Sequence, residues 1–348
     1  MSFQIMLDLL RAAVLGTQPD IPKDTDWDDV LLLSALHGVK AVIYPVVEAL
    51  PNELKPSPDT MYLWTQATQI VRNASRRRHE ALLRFYTDIC RPLGWEITVL
   101  KGESLAVHYP DHLSRECGDN DILTSPCTYE EFKTELSRRS FALTDGGDFH
   151  ESFTYEGVPF EGHNPLPQLG LRQRHVVFSM RTISSHPERR IPSAEEGIFY
   201  PDHIDEIVFQ LSHLARHVRN DQSGIFRGLL DLYLLSRHTD LSDERLYRQL
   251  EEANLLEFAS LIYSAVTEIL APLPGLKLQL DDKAGREFIE RAIISFGQNS
   301  HTSLKRYAYI PMTRKEKVHA ILMSEIREPI ANVVKTLIFW NKWRHLVK

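Results

Sequence analysis

Cysteine is scarce in this sequence, and the scarcity argues against two kinds of stabilising site. Three cysteines occur in 348 residues, at Cys90, Cys117 and Cys127. They form no CxxC pair and no even set, so the sequence predicts neither a disulfide framework nor a structural zinc site. We therefore expect three reduced thiols.

Long apolar runs and an excess of positive charge are also missing. The longest apolar stretches, such as AVIYPVV at 41–47, are far shorter than the roughly 18 residues that a membrane span needs. Asp8 interrupts the apolar N-terminus, where a signal peptide needs a basic flank and an apolar middle. The net charge of −7 gives no global attraction to nucleic acid or to an anionic membrane. These absences predict a cytoplasmic globular protein without a strong nucleic-acid signal.

The sequence does contain ample apolar material, arranged with two different periods. Hydrophobic residues make up 43% of the chain and aromatic residues 9%. From Trp27 to about Leu93 the apolar residues recur at i, i+3, i+4 and i+7, which is the period of a helix. After Gly94, alternation predicts strands at EITVLKG, NDILTS, SFALTD, ESFTYEG and VPFEGHN, with a helix at 130–138 among them. From Asp202 the helical period returns and holds almost to the end.

This change of period predicts an α+β fold class with three parts. We expect an N-terminal helical segment at 1–93, an α/β core at 94–200 and a C-terminal all-helical domain at 201–348. The core should hold a small mixed β-sheet from about Glu96 to Ser184. No internal repeat and no low-complexity tract occurs in the sequence.

One short stretch, GDNDILT at 118–124, places two acidic residues at the start of a predicted strand. Successive side chains of a strand point to opposite faces, so Asp119 and Asp121 should share a face. Two carboxylates this close repel each other unless a cation lies between them, and their oxygens suit Mg²⁺ or Mn²⁺. An acidic turn that caps a strand is the alternative interpretation, because a DxD pair is a short motif.

A glycine precedes this pair, at the end of another predicted strand. The run TVLKG ends at Gly102, and the pattern of ESLAVHY after it is helical. A helix start offers free N–H groups and the positive end of the helix dipole, both of which favour a phosphate. The sequence therefore predicts a phosphate-binding turn at Gly102 and Ser104, close to the acidic pair.

Together these features resemble the DNA polymerase β-like nucleotidyltransferase superfamily, and more closely a bacterial family of uncharacterised nucleotidyltransferases. The residues that carry the resemblance are Leu100, Lys101, Gly102, Leu105, Ala106, Tyr109, Pro110, Arg115, Gly118, Asp119 and Asp121. The segment FEGHN at 160–164 is similar to the family segment that carries a third carboxylate, here Glu161. Further likeness at 213–217, HLARH, extends the resemblance over most of the chain.

The resemblance implies a magnesium-dependent enzyme that moves a nucleoside monophosphate from a nucleoside triphosphate to a hydroxyl of a small molecule, sugar or protein. Asp119, Asp121 and Glu161 would be its catalytic residues and would hold two Mg²⁺ or Mn²⁺ ions. His163 shares a strand face with Glu161 and is an accessory candidate. The nucleotide-binding residues implied by the resemblance are Lys101, Gly102, Ser104 and Arg115.

Two departures from the family pattern keep a second interpretation open. Glu103 stands where the superfamily usually has Gly or Ser, and Asn120 replaces the usual apolar residue between the aspartates. A noncatalytic module that binds a nucleotide or a partner protein is therefore the alternative. Replacing Asp119 or Asp121 by Asn should cost little folding free energy if the aspartates hold metal, and about 1 kcal/mol if they are structural caps.

Two basic segments are interpreted as structural. The run SRRRHE at 75–80 has the pattern of a solvated helix face that covers apolar surface with its long side chains. The C-terminal FWNKWRHLVK at 339–348 is basic and aromatic, and we expect a packed terminal helix with a charged end.

Overall fold

A computed structural model of the chain describes residues 1–145, 149–167, 174–219 and 224–297. The helices in these ranges are α1 (Ser2–Leu15), α2 (Trp27–Leu36), α3 (Lys40–Ala49), α4 (Pro58–Phe85), α5 (Glu103–Ala106), α6 (Tyr129–Arg138), α7 (Arg174–Ser185), α8 (His203–Arg219), α9 (Ile225–Ser236), α10 (Glu244–Glu252), α11 (Leu256–Ile269) and α12 (Asp282–Gly297). The strands are β1 (Glu96–Val99), β2 (Asn120–Ser125), β3 (Thr144–Asp145), β4 (His150–Tyr155), β5 (Val158–His163), β6 (Ile191–Pro192) and β7 (Ile198–Tyr200). The helices predicted after residue 297, including FWNKWRHLVK, lie outside the described residues.

The described chain divides into two compact units. The first takes Met1–Arg72, Leu214–Tyr233 and the described residues from Glu257 onward. The second takes Asn73–His213 and Leu234–Leu256. Because the boundary falls within α4, that helix contributes its first part to one unit and its second part to the other.

The described residues of the first unit form a helical core. Trp64 of α4 is fully buried, and its indole Nε1 donates a hydrogen bond to the carbonyl of Lys40, at 3.0 Å. The guanidinium of Arg11 in α1 donates to the carbonyl of Ile269 at the end of α11, at 2.7 Å. These bonds satisfy polar groups that packing removes from water. No described helix in either unit is both long enough and apolar enough to cross a membrane.

The second unit is built on a mixed sheet with the strand order β3-β4-β5-β2-β1-β7-β6. At its centre, β2 runs antiparallel to β1 and parallel to β5. The described residues after Tyr200 form helices and their connections. The fold class is therefore α+β, with a mixed sheet between helical segments, as the change of period predicts.

Helices cover both faces of this sheet, and the alternation within β2 decides which residues meet them. Ile122 lies in a core cluster with Phe85 of α4 and Phe132 of α6. Leu123, on the opposite face, lies in a second cluster with Met180 of α7 and the α8 residue Phe209. Side chains two residues apart in a strand share a face, so the residue before Ile122 lies on the face that α7 and α8 cover.

Several predicted boundaries within the sheet region were wrong. The sheet continues past Ser184 into β6 and β7, and β7 pairs in parallel with β1. These strands are two and three residues long, too short to give an alternating signal. The run SFALTD contributes strand only at Thr144–Asp145, and helix α7 lies inside the segment that was assigned to the sheet. All three cysteines are free thiols, as expected.

Candidate functional site

The register of two parallel strands brings an aspartate and a glutamate side by side. Asp121 of β2 is paired with Glu161 of β5, so both side chains project from the same face of the sheet. His163 lies two residues after Glu161 and shares this face. One ligand atom from each of the three residues lies within 4.8 Å of the others. We call Asp121, Glu161 and His163 the acidic cluster.

Asp121 is the more buried of the two carboxylates in the acidic cluster, and its partners are an ammonium and an imidazole. Its side chain is 1% exposed, and its Oδ1 lies 2.9 Å from the Nζ of Lys101 and 2.9 Å from the Nε2 of His163. Burial alone would raise the pKa of Asp121, but Lys101 and then His163 hold it well below its usual range. Asp121 is therefore ionised and balanced by a charge from the chain itself.

Glu161 has the opposite electrostatic environment, although it lies directly across the register. Its side chain is 26% exposed. Burial, and after it the carboxylate of Asp121, raise the pKa of Glu161 to about 7, against the opposing effect of Lys101. The nearest imidazole nitrogens, on His150 and His163, lie 3.5 and 3.7 Å from its oxygens. The ionised form of Glu161 is therefore the charge that the ion-free cluster does not balance.

The donors of the acidic cluster fit a divalent cation. The second carboxylate oxygen of Asp121, Oδ2, is buried and accepts no hydrogen bond from the described residues. A buried carboxylate oxygen without a donor is costly, and a cation removes that cost. Two carboxylates and one imidazole are a donor set that first-row divalent ions accept.

Asp119 lies beside the cluster rather than inside it. The strand β2 begins at Asn120, as the run NDILTS predicts, so the period of two that relates Asp121 to Leu123 does not extend to Asp119. The thiol of Cys117 lies 3.2 Å from the Asp119 carbonyl and 3.9 Å from its Oδ1. Asp119 is half-buried and does not join the donors that lie within 4.8 Å of one another. The structure thus brings together two of the three predicted carboxylates and His163.

The turn at Gly102 has a backbone that requires glycine. Gly102 has φ of 67° and ψ of −98°, which side chains rarely adopt. A Cβ there would lie 3.2 Å from the thiol sulfur of Cys117 and 3.7 Å from the carbonyl oxygen of Asp119. Close approach between this turn and the loop before β2 therefore depends on the missing side chain.

The helix after this turn is shorter than the sequence predicts: α5 has four residues, whereas the run ESLAVHY has seven. A helix of one turn has little dipole to offer a phosphate. Ser104 is buried, and its hydroxyl donates to the carboxylate of Glu206. The Glu103 carboxylate accepts from His79, at 2.8 Å, and from the hydroxyl of Tyr200, at 3.3 Å. Both side chains that follow Gly102 are thus engaged within the protein.

A cavity of about 220 Å³ borders the Gly102 turn. We call it the arginine cavity. It is lined by Ser75, Arg76, Arg78, His79, Gly102, Glu103, Ala106, Val107, His112, Leu113, Arg115, Cys117 and Asn120. Arg115, a predicted nucleotide-binding residue, is 5% exposed and lies in this lining.

Sequence analysis missed the part of α4 that contributes to the arginine cavity. The run SRRRHE was interpreted as a solvated helix face, yet only Arg76 and Arg77 of its cations are exposed, while Arg78 and His79 are half-buried. A signal was present, because Ser75, Arg78 and His79 follow the i, i+3, i+4 spacing of one helix face. Asn120 joins the two segments by donating to the carbonyl of Arg78, at 3.1 Å.

Comparison with known protein families identifies the family of this chain. The family of uncharacterised nucleotidyltransferases matches the chain over residues 23–271. The chain belongs to this family. As a nucleotidyltransferase-family protein it has a nucleoside triphosphate as its implied substrate, and such enzymes generally use divalent metal ions. The match includes the acidic cluster and the arginine cavity.

The remaining comparisons identify no individual relative of this nucleotidyltransferase-family protein. No curated protein and no solved structure matches the chain. The acceptor therefore has to be approached from the chemistry of the chain's own residues.

Proposed function

We propose that this protein transfers a nucleoside monophosphate from a nucleoside triphosphate to a hydroxyl group of an acceptor. The observation that carries the proposal is the register pairing of Asp121 with Glu161, which concentrates two carboxylates on one face of the sheet. Membership of the nucleotidyltransferase family gives that pairing a chemical context.

Asp121, Glu161 and His163 are the residues that would hold a divalent ion, with Asp119 next to them as a further carboxylate. Mg²⁺ and Mn²⁺ are the proposed ions, because carboxylate oxygens suit both and the imidazole is better matched to Mn²⁺. When bound, such an ion supplies charge neutralisation for the phosphate oxygens. Lys101 supplies that positive charge to Asp121 in the ion-free cluster.

Glu161 is the proposed acceptor of the hydroxyl proton. The pKa of Glu161 is raised to about 7 in the ion-free cluster, and a bound cation would lower it, so the carboxylate would be ionised and able to accept a proton near neutral pH. The acceptor oxygen attacks the α-phosphorus, and the bond from that phosphorus to the bridging oxygen breaks. Pyrophosphate leaves with the electron pair, while the proton passes to Glu161. Lys101 is the proposed contact for a phosphate oxygen beside this site.

The Glu161→Gln variant tests the proposal. We expect Mg²⁺ or Mn²⁺, added with each of the four common nucleoside triphosphates, to raise the melting temperature of the wild type and not of the variant. Pyrophosphate release should fall by at least about 100-fold. Glu53→Gln is the matched control, because Glu53 is exposed. If Glu161→Gln responds to metal and nucleotide like Glu53→Gln, the cluster is structural and the protein is better described as a noncatalytic module.

A further inference from the structure

Three histidines from separate parts of the chain lie together in the second unit. His108 follows the end of α5 by two residues, His203 is the first residue of α8, and His238 follows the end of α9 by two residues. The ring centre of His108 lies 5.2 Å from that of His203 and 5.0 Å from that of His238. We call His108, His203 and His238 the histidine cluster. It shares no residue with the acidic cluster or with the lining of the arginine cavity.

Backbone hydrogen bonds fix the positions from which these side chains project. The N–H of His108 donates to the carbonyl of Leu105, at 3.1 Å, and the N–H of His238 donates to the carbonyl of Leu235, at 3.0 Å. His203 is joined to His238 directly, because its Nδ1 lies 3.0 Å from the carbonyl oxygen of His238. The histidine cluster is therefore formed where one end of α5, of α8 and of α9 meet.

The contact between His203 and His238 determines which ring nitrogen of His203 carries a proton. A carbonyl oxygen only accepts hydrogen bonds, so the Nδ1 of His203 is the donor. In a neutral imidazole with its proton on Nδ1, the lone pair is on Nε2. Histidines that bind metal ions are commonly oriented in this way, with one nitrogen held by a carbonyl while the other coordinates the ion. His203 therefore offers Nε2 as a ligand.

The separations between the rings match those of imidazoles that share one ion. With metal–nitrogen bonds of about 2.0–2.1 Å in a tetrahedral arrangement, two such rings have centres about 5 Å apart. His108 has this separation from both of its neighbours. Without an ion, the ligand atoms of the three histidines do not all lie within 4.8 Å of one another, as those of the acidic cluster do. His238 is exposed, so its ring can turn toward the other two.

The ligand type determines which class of ion fits this position. Imidazole nitrogen suits Zn²⁺, Ni²⁺ and Cu²⁺, whereas Mg²⁺ prefers oxygen ligands. We propose that the histidine cluster binds a transition-metal ion, with Zn²⁺ as the ion to test. This inference goes beyond the proposed function, because the ion is separate from the one that the acidic cluster would hold.

The proposed ion would strengthen an existing connection between α5 and α8. The hydroxyl of Ser104 in α5 donates to the carboxylate of Glu206 in α8. His108 and His203 belong to the same two parts of the chain, since one follows α5 and the other begins α8. Ligands that are far apart in the sequence come together only in the folded chain, so binding of the ion stabilises the fold. The role of this site is therefore structural.

Binding of Zn²⁺ tests the proposal, measured by counting bound ions after dialysis and by thermal melting. We expect His203→Gln to bind one Zn²⁺ fewer than wild type, or to bind that ion at least about tenfold more weakly. The rise in melting temperature caused by Zn²⁺ should shrink accordingly. His108→Gln should behave in the same way, and it replaces His203→Gln if that variant does not fold. His186→Gln is the matched control, because His186 lies in the same unit beside Glu188 and outside the histidine cluster.

The comparison also separates this ion from any ion held at the acidic cluster. All three histidine variants keep the acidic cluster, so Zn²⁺ bound there is common to them and cancels. Glu161→Gln should retain the ion of the histidine cluster, so the proposal can hold or fail independently of nucleotidyl transfer. Excess Mg²⁺ should not displace this ion, and displacement would contradict the proposal. Equal Zn²⁺ binding by wild type, His108→Gln and His203→Gln, or an equal loss in His186→Gln, would overturn it and leave the ring contacts as packing alone.

Discussion

The acidic cluster and the arginine cavity differ in where each finds its opposite charge. In the cluster, Asp121 has the ammonium of Lys101 at 2.9 Å. In the cavity, Arg78 has a hydroxyl as its side-chain partner and forms no ion pair within the described part of the chain. One region therefore pairs its buried carboxylate with an ammonium at hydrogen-bond distance, whereas in the other a half-buried guanidinium is hydrogen-bonded to a neutral hydroxyl.

The same distinction separates the two paired carboxylates of the cluster. Lys101 and His163 keep Asp121 ionised, while burial and Asp121 together raise the pKa of Glu161 to about 7. Asp121 therefore stabilises the ion-free fold, and Glu161 is the residue whose charge calls for an external cation. A family motif that treats its carboxylates as equivalent does not reveal this difference.

The largest predicted effect is the loss of folding free energy when the ion pair between Asp121 and Lys101 is broken. Asp121→Asn leaves the ammonium of Lys101, which is 13% exposed, without its carboxylate. Breaking a buried pair on one side costs about 3–5 kcal/mol, so thermal or denaturant unfolding of the ion-free protein should show a loss of this size. This replaces the sequence-based expectation that the change costs little folding free energy.

A double variant checks the cause of that loss. Lys101→Met removes the stranded charge, so Asp121→Asn combined with Lys101→Met should be more stable than Asp121→Asn alone. Asp20→Asn is the matched control, because Asp20 is exposed and its change should leave unfolding unaltered. Equal stability of Asp121→Asn and Asp20→Asn would mean that Lys101 does not depend on Asp121.

The pH dependence of stability sharpens the contrast between the two carboxylates. Glu161 has a pKa raised from 4.5 to about 7, so its contribution to stability is fully present below about pH 4.5 and is lost as the pH rises through about 7. Glu161→Gln has no titratable group at this position, so its stability does not fall in this way as the pH rises. In EDTA the variant should therefore gain on wild type by about 2 kcal/mol between pH 5 and pH 8, a figure reduced for the partial exposure of Glu161.

Unfolding of wild type and Glu161→Gln in denaturant, at a series of pH values, measures this difference. Subtracting the two curves removes the titration of all groups that the proteins share. A difference that stays constant from pH 5 to pH 8 would show that Glu161 titrates near its ordinary value. Mg²⁺ at pH 8 should stabilise wild type and leave the variant unchanged.

Patterns local in sequence predicted the fold class and part of the candidate site. The alternation in NDILTS predicted β2 correctly, and a period of two correctly placed His163 on the face of Glu161. These features depend on neighbours along one strand. The register between Asp121 and Glu161 joins segments 40 residues apart, and here the family resemblance indicated the partner that periodicity alone does not identify.

Features that depend on packing were not predictable from the sequence. Nothing in the run LKG indicates that Lys101 pairs with Asp121 rather than with solvent, because strand-end lysines are usually exposed. The half-buried Arg78 lies against the start of β2, 42 residues later in the chain, where Asn120 donates to the carbonyl of Arg78. Helix α5 ends at Ala106, three residues before the end of the run ESLAVHY, and apolar spacing does not report where a helix stops.

The smallest predicted effect concerns Ser104, which extends the comparison to a side chain that is neutral. Its buried hydroxyl donates to the Glu206 carboxylate, and a hydrogen bond to a charged group contributes about 1.5–3 kcal/mol. Because alanine also relieves the burial of the hydroxyl, we expect Ser104→Ala to lower the free energy of unfolding by about 1–2 kcal/mol.

Nucleotide titration decides whether Ser104 serves the fold or the substrate. While its hydroxyl is held by Glu206, a phosphate oxygen has to compete for the same donor, and a carboxylate that is already buried has the advantage of needing no further desolvation. Ser104→Ala should therefore keep the wild-type affinity for nucleoside triphosphate with Mg²⁺, measured by calorimetry at a temperature where the variant is folded. A tenfold or greater loss of that affinity, with little change in stability, would instead show that the Ser104 hydroxyl donates to a phosphate of the nucleotide.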